Sequence, residues 1–134
     1  MGRSQVIFLD THVFIWYALD DPRLIVTVRD LLARDPEAVY VPTICIWEAM
    51  LLAEKGRIQF REGRPERMLR GYLQSSGFNE APLTAEIAAL SRTLPFEHED
   101  PADRFIAATA HAMNGLLATS DRNLRALPWL RLAY

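Results

Sequence analysis

Apolar residues first cluster at Val6 to Leu9, inside a β-branched and aromatic run from Gln5 that reads as a buried strand turning at Asp10-Thr11. A helix is expected from Thr11 to about Leu19, where Asp20-Asp21-Pro22 breaks it. A second helical pattern runs to about Arg34 with Leu24, Val28, Leu31 and Leu32 on one face, and Asp35-Pro36 ends it. Val39-Tyr40-Val41 reads as a second buried strand stopped by Pro42, with Thr43 able to cap a third helix from Ile44 to about Lys55, ahead of Gly56.

Gly63-Arg64-Pro65 opens a fourth helix to about Ser76, Phe78 to Pro82 is extended, and Thr84 to Leu94 is an alanine- and leucine-rich helix. After a loop, Pro101 suits the first position of a helix to Asn114, which Gly115 closes. Leu116 to Thr119 is a short strand ahead of Asp121, and a last short helix and a possible strand, Trp129 to Leu132, finish the pattern. Strands alternating with helices predict an α/β fold, a three-layer α/β/α sandwich on a short parallel sheet. With 134 residues, half of them apolar, the expectation is one domain over 1–134, burying roughly two-thirds of its unfolded surface.

Composition narrows the chemistry. The 15 basic and 17 acidic residues leave a net charge of −2, so a polyanion would have to be bound locally. Lys55 is the only lysine, which argues against mechanisms that need a catalytic one. The single Cys45 allows neither an internal disulfide nor a thiolate metal cluster and suits a reducing compartment, so the protein is expected to be soluble and cytoplasmic. The apolar stretch before Asp10 is too short for a signal-peptide core, and no run approaches the ~20 apolar residues of a membrane span.

Ligands of open parallel sheets bind beyond the carboxyl ends of the strands, where Asp10 and Asp121 both fall. Either could simply cap the helix that follows. Together they would place like charges at one sheet edge, an arrangement relieved by a cation or a raised pKa. Glu48 is the only charged residue between Pro42 and Ala53, and its helical neighbours are Ile44, Leu51 and Leu52. Its alternatives are an ion pair, with Arg104 for example, or a polar strip on a dimer-forming helix. Asp103 fits the first turn of its helix, as Asp100 fits the cap, and that role alone could explain it.

Val6-Ile7-Phe8-Leu9-Asp10-Thr11, Trp47-Glu48, Asp100-Pro101-Ala102-Asp103-Arg104-Phe105-Ile106-Ala107-Ala108 and Thr119-Ser120-Asp121, in this order, resemble the PIN-domain nucleases, and among them the VapC toxins of toxin–antitoxin pairs. The resemblance spans nearly the whole chain and maps the family's acids onto Asp10, Glu48, Asp103 and Asp121, leaving Asp100 as the cap. It implies an endoribonuclease hydrolysing RNA phosphodiester bonds, Mg²⁺ or Mn²⁺, a homodimer and an inhibiting antitoxin protein.

Hard ions of this kind take carboxylate oxygens and share their remaining positions with water and phosphate, which fits an all-carboxylate site. Asp10 and Asp103 are expected to hold the principal ion, with Glu48 and Asp121 completing its water shell or holding a second. His12, His98 and His111 show no zinc-site spacing. Arg104 and Arg122 are expected substrate contacts, while Arg57, Arg61, Arg64, Arg67 and Arg70 form either a phosphate-binding cluster or a solvated face balanced by Glu54, Glu62 and Glu66. The third helix is apolar around most of its circumference, which suits a dimer interface or full burial within one copy. A receiver module would need a lysine after a late strand and a haloacid-type phosphatase a second acid after Asp10; a module that binds RNA or a partner without cutting it is the remaining alternative.

Overall fold

The computed structural model describes residues 5–60 and 63–134. Four strands, β1 (Ile7–Leu9), β2 (Val39–Pro42), β3 (Asn79–Ala81) and β4 (Leu116–Ala118), form one parallel sheet in the order β3-β2-β1-β4. The helices are α1 (Thr11–Ala18), α2 (Val26–Arg34), α3 (Thr43–Glu54), α4 (Pro65–Ser76), α5 (Ala85–Thr93), α6 (Pro101–Ala112) and α7 (Arg122–Arg125). The chain crosses the sheet outward from β1 through β2 to β3 and then returns to the far side of β1. Right-handed crossovers therefore bring the connecting helices to opposite faces before and after β3, the layered α/β/α arrangement expected from the alternation. None of these helices is long and apolar enough to cross a membrane.

The central strands are apolar on both faces because both faces are covered. Phe8, Leu9, Val41, Leu117 and Ala118 are fully buried beside Val13, Leu32, Cys45 and Ile106. Each large side chain among them contributes about 1.5–3 kcal/mol by leaving water. On α2, Val28 and Leu32 face this core while Leu31 packs at its margin; Leu24, expected on the helix, lies buried just ahead of it.

Several local expectations change. Pro42 does not stop β2 but ends it in register with Ala81, and Thr43 does not cap α3: its hydroxyl donates to the Ala81 carbonyl at 3.1 Å, tying α3 to β3. At the end of α6 the left-handed turn is taken by Asn114 (φ 53°), not Gly115. Gly115 is needed for a different reason, since a Cβ there would lie 2.4 Å from the Phe8 ring. Residues Trp129 to Leu132 do not extend the sheet as a strand; Leu132 forms an isolated parallel bridge with Leu117, whose amide donates to the Arg131 carbonyl at 2.8 Å.

Candidate active site

The direction of travel across the sheet reverses between β1 and β4, and a crevice opens at their carboxyl ends. Asp10 leaves β1 there with its backbone N–H on the Ala118 carbonyl of β4 at 3.1 Å. Its Oδ1 caps α1, accepting from the His12 and Val13 amides at 2.9 and 3.2 Å. Its Oδ2 accepts from the Thr119 hydroxyl, which in turn accepts the Asp121 amide at 3.0 Å. Asp121 caps α7 through the Leu124 amide at 3.0 Å. One threonine thus links the acids of neighbouring strand ends. The capping roles allowed by the sequence are real, and they fix these carboxylates at the crevice without taking them out of it.

Glu48 reaches the same crevice from α3, where Thr11, buried at the start of α1, donates its hydroxyl to Oε1. The ion pair with Arg104 considered from the sequence does not form. Asp103 enters from the first turn of α6, whose cap is Asp100: the Asp103 amide donates to Asp100 Oδ1 at 3.2 Å. His98 Nε2 stands 2.7 Å from Asp103 Oδ2. Asp10, Glu48, Asp103 and Asp121, with Asp100, line one open pocket of about 350 Å³.

The electrostatics follow from crowding. Burial is the main cause that raises the Asp10 carboxyl above its ordinary range, against the Thr119 and backbone hydrogen bonds that lower it. Burial also raises Glu48, opposed first by the Thr11 hydroxyl. Asp103 is pushed up to about 7, by burial and then by the charges of Asp100, Asp121 and Glu48, despite its hydrogen bond to His98. Five carboxyl groups line the pocket against one arginine, Arg23, and that arginine is held by Asp21 at 2.7 Å. A cation is what such a site lacks. Carboxyl groups lining one pocket, short of positive charge, fit a hard divalent ion, although among the described residues the ligand atoms already within 4.8 Å of one another are those of His98, Asp100 and Asp103.

The arginines fall elsewhere. Arg104 was expected to meet substrate; instead it is 5% exposed, with Nε donating to the Ser91 carbonyl at 2.8 Å, Nη1 to the His98 carbonyl at 3.0 Å and its guanidinium over the Phe96 ring. The charge is spent on pinning the 95–100 loop. Arg122 is exposed at the start of α7 but does not line the pocket, and neither do Arg57, Arg64, Arg67 and Arg70. Arg67 and Arg70 border a separate groove with Glu66 and Glu80, and Arg61 and Glu62 lie outside the described residues.

Sequence reasoning missed His12, Trp16 and Arg23 in the lining of the pocket, and His98 against Asp103. His98 with Asp100 and Asp103 offers donor atoms within 4.8 Å of one another. Its signal was the short distance along the chain to Asp103, which a search for zinc-type spacing passes over. Trp16 lies one helical turn beyond His12, which itself follows Asp10-Thr11, so i, i+4 geometry could have placed both beside the acids.

Comparison with known proteins agrees with this fold. The chain is 32% identical over 122 residues, 89% of each sequence, to Ribonuclease VapC22 of Mycobacterium tuberculosis. Among solved structures it is similar to the DNA-bound VapBC of Salmonella typhimurium (TM-score 0.68, 18% identity, 96% of this chain and 97% of that one). It is likewise similar to VapBC2 of Rickettsia felis bound to a promoter DNA fragment (TM-score 0.67, 19% identity, 94% and 96%). The sequence model of the PIN domain matches residues 7–130, which span all four strands and every acid of the pocket, and the chain therefore belongs to the PIN-domain family.

Proposed function

We propose that this protein is a divalent-metal-dependent endoribonuclease, the toxin of a toxin–antitoxin pair, acting at the pocket formed by Asp10, Glu48, Asp103 and Asp121. The observation that carries this reading is the uncompensated acidity at the switch point of the sheet, expressed in the raised Asp103 carboxyl. Without a cation these acids would repel an RNA phosphate.

Asp10 and Asp103 would hold the principal Mg²⁺ or Mn²⁺, and Glu48 and Asp121 its water shell or a second ion. When bound, the metal supplies charge neutralisation at the phosphate and a more acidic water. The protein's own part is orientation. Thr119 and the α1 amides hold both oxygens of Asp10, Thr11 turns Glu48 into the pocket, and His98 steadies Asp103. Asp103, raised to about 7 while no ion is bound, would give up its proton in taking one up.

An antitoxin partner is supported by the shared fold of VapBC complexes and the identity to VapC22. A homodimer is supported by α3, where Cys45 and Ala49 are buried but Trp47 remains 54% exposed. A cytoplasmic site of action fits an RNA substrate, and Arg122, exposed beside Asp121, remains a candidate phosphate contact.

The test is incubation of single-stranded and structured RNA with the purified protein in Mn²⁺, Mg²⁺ or EDTA, beside Asp10→Asn and Asp103→Asn. Cleavage that requires metal and both aspartates is expected. Cutting in EDTA, or full activity in both variants, would reject the proposal, and RNA binding without cutting would favour the non-catalytic reading.

A further inference from the structure

Beside the acids, the pocket is lined by aromatic and cationic side chains. His12 and Trp16 lie one turn apart on α1 with ring centroids 5.8 Å apart, and the Arg23 guanidinium sits 5.2 Å from the centre of the Trp16 ring. All three line the same pocket as the carboxylates.

This wall is built, not incidental. After α1 the chain folds back through Asp20, a non-glycine residue in the left-handed region (φ 53°), and the Asp21 amide closes the turn on the Trp16 carbonyl at 2.8 Å. Arg29 fastens the turn from α2, donating to the Trp16, Tyr17 and Asp21 carbonyls at 3.2–3.3 Å. Asp21 then grips Arg23 with both oxygens, at 3.1 Å to Nε and 2.7 Å to Nη2, which holds the guanidinium over the indole. The hydrogen bonds from the Arg23 side chain lower the Asp21 carboxyl to about 2, so Asp21 is ionised at neutral pH.

We propose that His12, Trp16 and Arg23 form a stacking subsite for the base of an unpaired nucleotide whose phosphate lies at the carboxylates. The inference rests on the ribonuclease reading above. Arg23 is paired with Asp21, so the wall offers π faces and a guanidinium and little net charge to a phosphate; a nucleobase face is its complement. Because every base has such a face, the subsite favours single strands over duplex and discriminates weakly among bases, purines stacking more strongly than pyrimidines.

The experiment is titration of the intrinsic fluorescence with AMP, GMP, CMP and UMP, and with ribose 5-phosphate, in Mg²⁺. These ligands carry the same sugar and phosphate and differ in having a base, and none can be cut. Saturable quenching by the nucleotides and none by ribose 5-phosphate is expected, lost in Trp16→Phe, whose remaining Trp47 and Trp129 report a folded protein. In cleavage assays Trp16→Ala should raise KM for single-stranded RNA by roughly tenfold with kcat little changed.

Equal quenching by ribose 5-phosphate, or quenching that persists in Trp16→Phe, overturns the subsite. A wall that serves a protein partner instead would show no quenching by nucleotides and no change of KM in Trp16→Ala, and that result overturns it too. Base-dependent quenching in a protein that cuts no RNA keeps the subsite and removes the nuclease; cleavage with KM unchanged in Trp16→Ala and no quenching does the reverse.

Discussion

Asp10 and Arg104 are both charged, both buried to within a few per cent, and both close to the candidate site, yet their surroundings differ in kind. Arg104 is surrounded by what a guanidinium needs: two backbone carbonyls and an aromatic face. Asp10 has donors on both oxygens but shares its pocket with four other acids, and burial raises its pKa. A buried charge whose environment completes it is holding structure together. One whose environment leaves charge uncompensated is waiting for a ligand.

The contrast is broken most directly by removing each charge at constant shape. Asp10→Asn should lower cleavage by about 10³-fold or more while leaving thermal stability equal or higher, because a crowded negative charge is removed. Arg104→Met should do the opposite. Stranding the Ser91 and His98 carbonyls should cost about 2–3 kcal/mol in urea unfolding, with a smaller loss of activity through the displaced His98. If Asp10→Asn unfolded the protein and Arg104→Met merely inactivated it, the distinction drawn between the two sites would be reversed.

A smaller effect sharpens the same comparison through pH. Asp103 has its folded pKa near 7, above its ordinary 3.8, so between these values the folded state binds more protons than the unfolded one. Its contribution to stability is full below about pH 4 and is lost as pH rises through 7. In EDTA the melting temperature should therefore fall from pH 5 to pH 8, and Asp103→Asn should flatten the fall. Mn²⁺ should restore stability most at the alkaline end, where the carboxylates are ionised. Arg104→Met should lower the whole curve without changing this slope.

The two regions were also unequally legible. Strand ends and apolar patterning locate Asp10 and Asp121 because a short buried strand followed by an acid is a local signal, and Glu48 stands out by the apolar company it keeps. The layered fold follows from the same alternation. Arg104 misleads because sequence neighbourhood to Asp103 says nothing of direction: on a helix, adjacent residues point about 100° apart, and this one turns toward α5 and the 95–100 loop. That loop has no periodicity, so only the short distance along the chain pointed to the approach of His98 to Asp103. The Trp16–Arg23 wall depends on a turn closed by Asp20 and Arg29, long-range geometry that Asp20-Asp21-Pro22 announces only as a break.

The finest distinction lies inside the acidic pocket, between donors that orient a carboxylate and neighbours that merely crowd it. Thr11 is buried, and its hydroxyl is the principal influence lowering the Glu48 carboxyl against burial. Thr11→Val preserves volume and β-branching and removes that donor alone. Glu48 should then hold its proton to higher pH, so proton and metal compete over a wider range. Glu48 is partly open to solvent, which limits the effect, and Mn²⁺ affinity should fall by roughly threefold near pH 8. Near pH 5.5 the penalty should be larger, because protons compete more strongly there and the variant's Glu48 holds its own more tightly. Calorimetric titration of metal at the two pH values reads this directly. A penalty independent of pH would mean that Thr11 only positions Glu48; no penalty at either would mean that Glu48 lies outside the metal's reach, leaving Asp10, Asp103 and Asp121 to hold it.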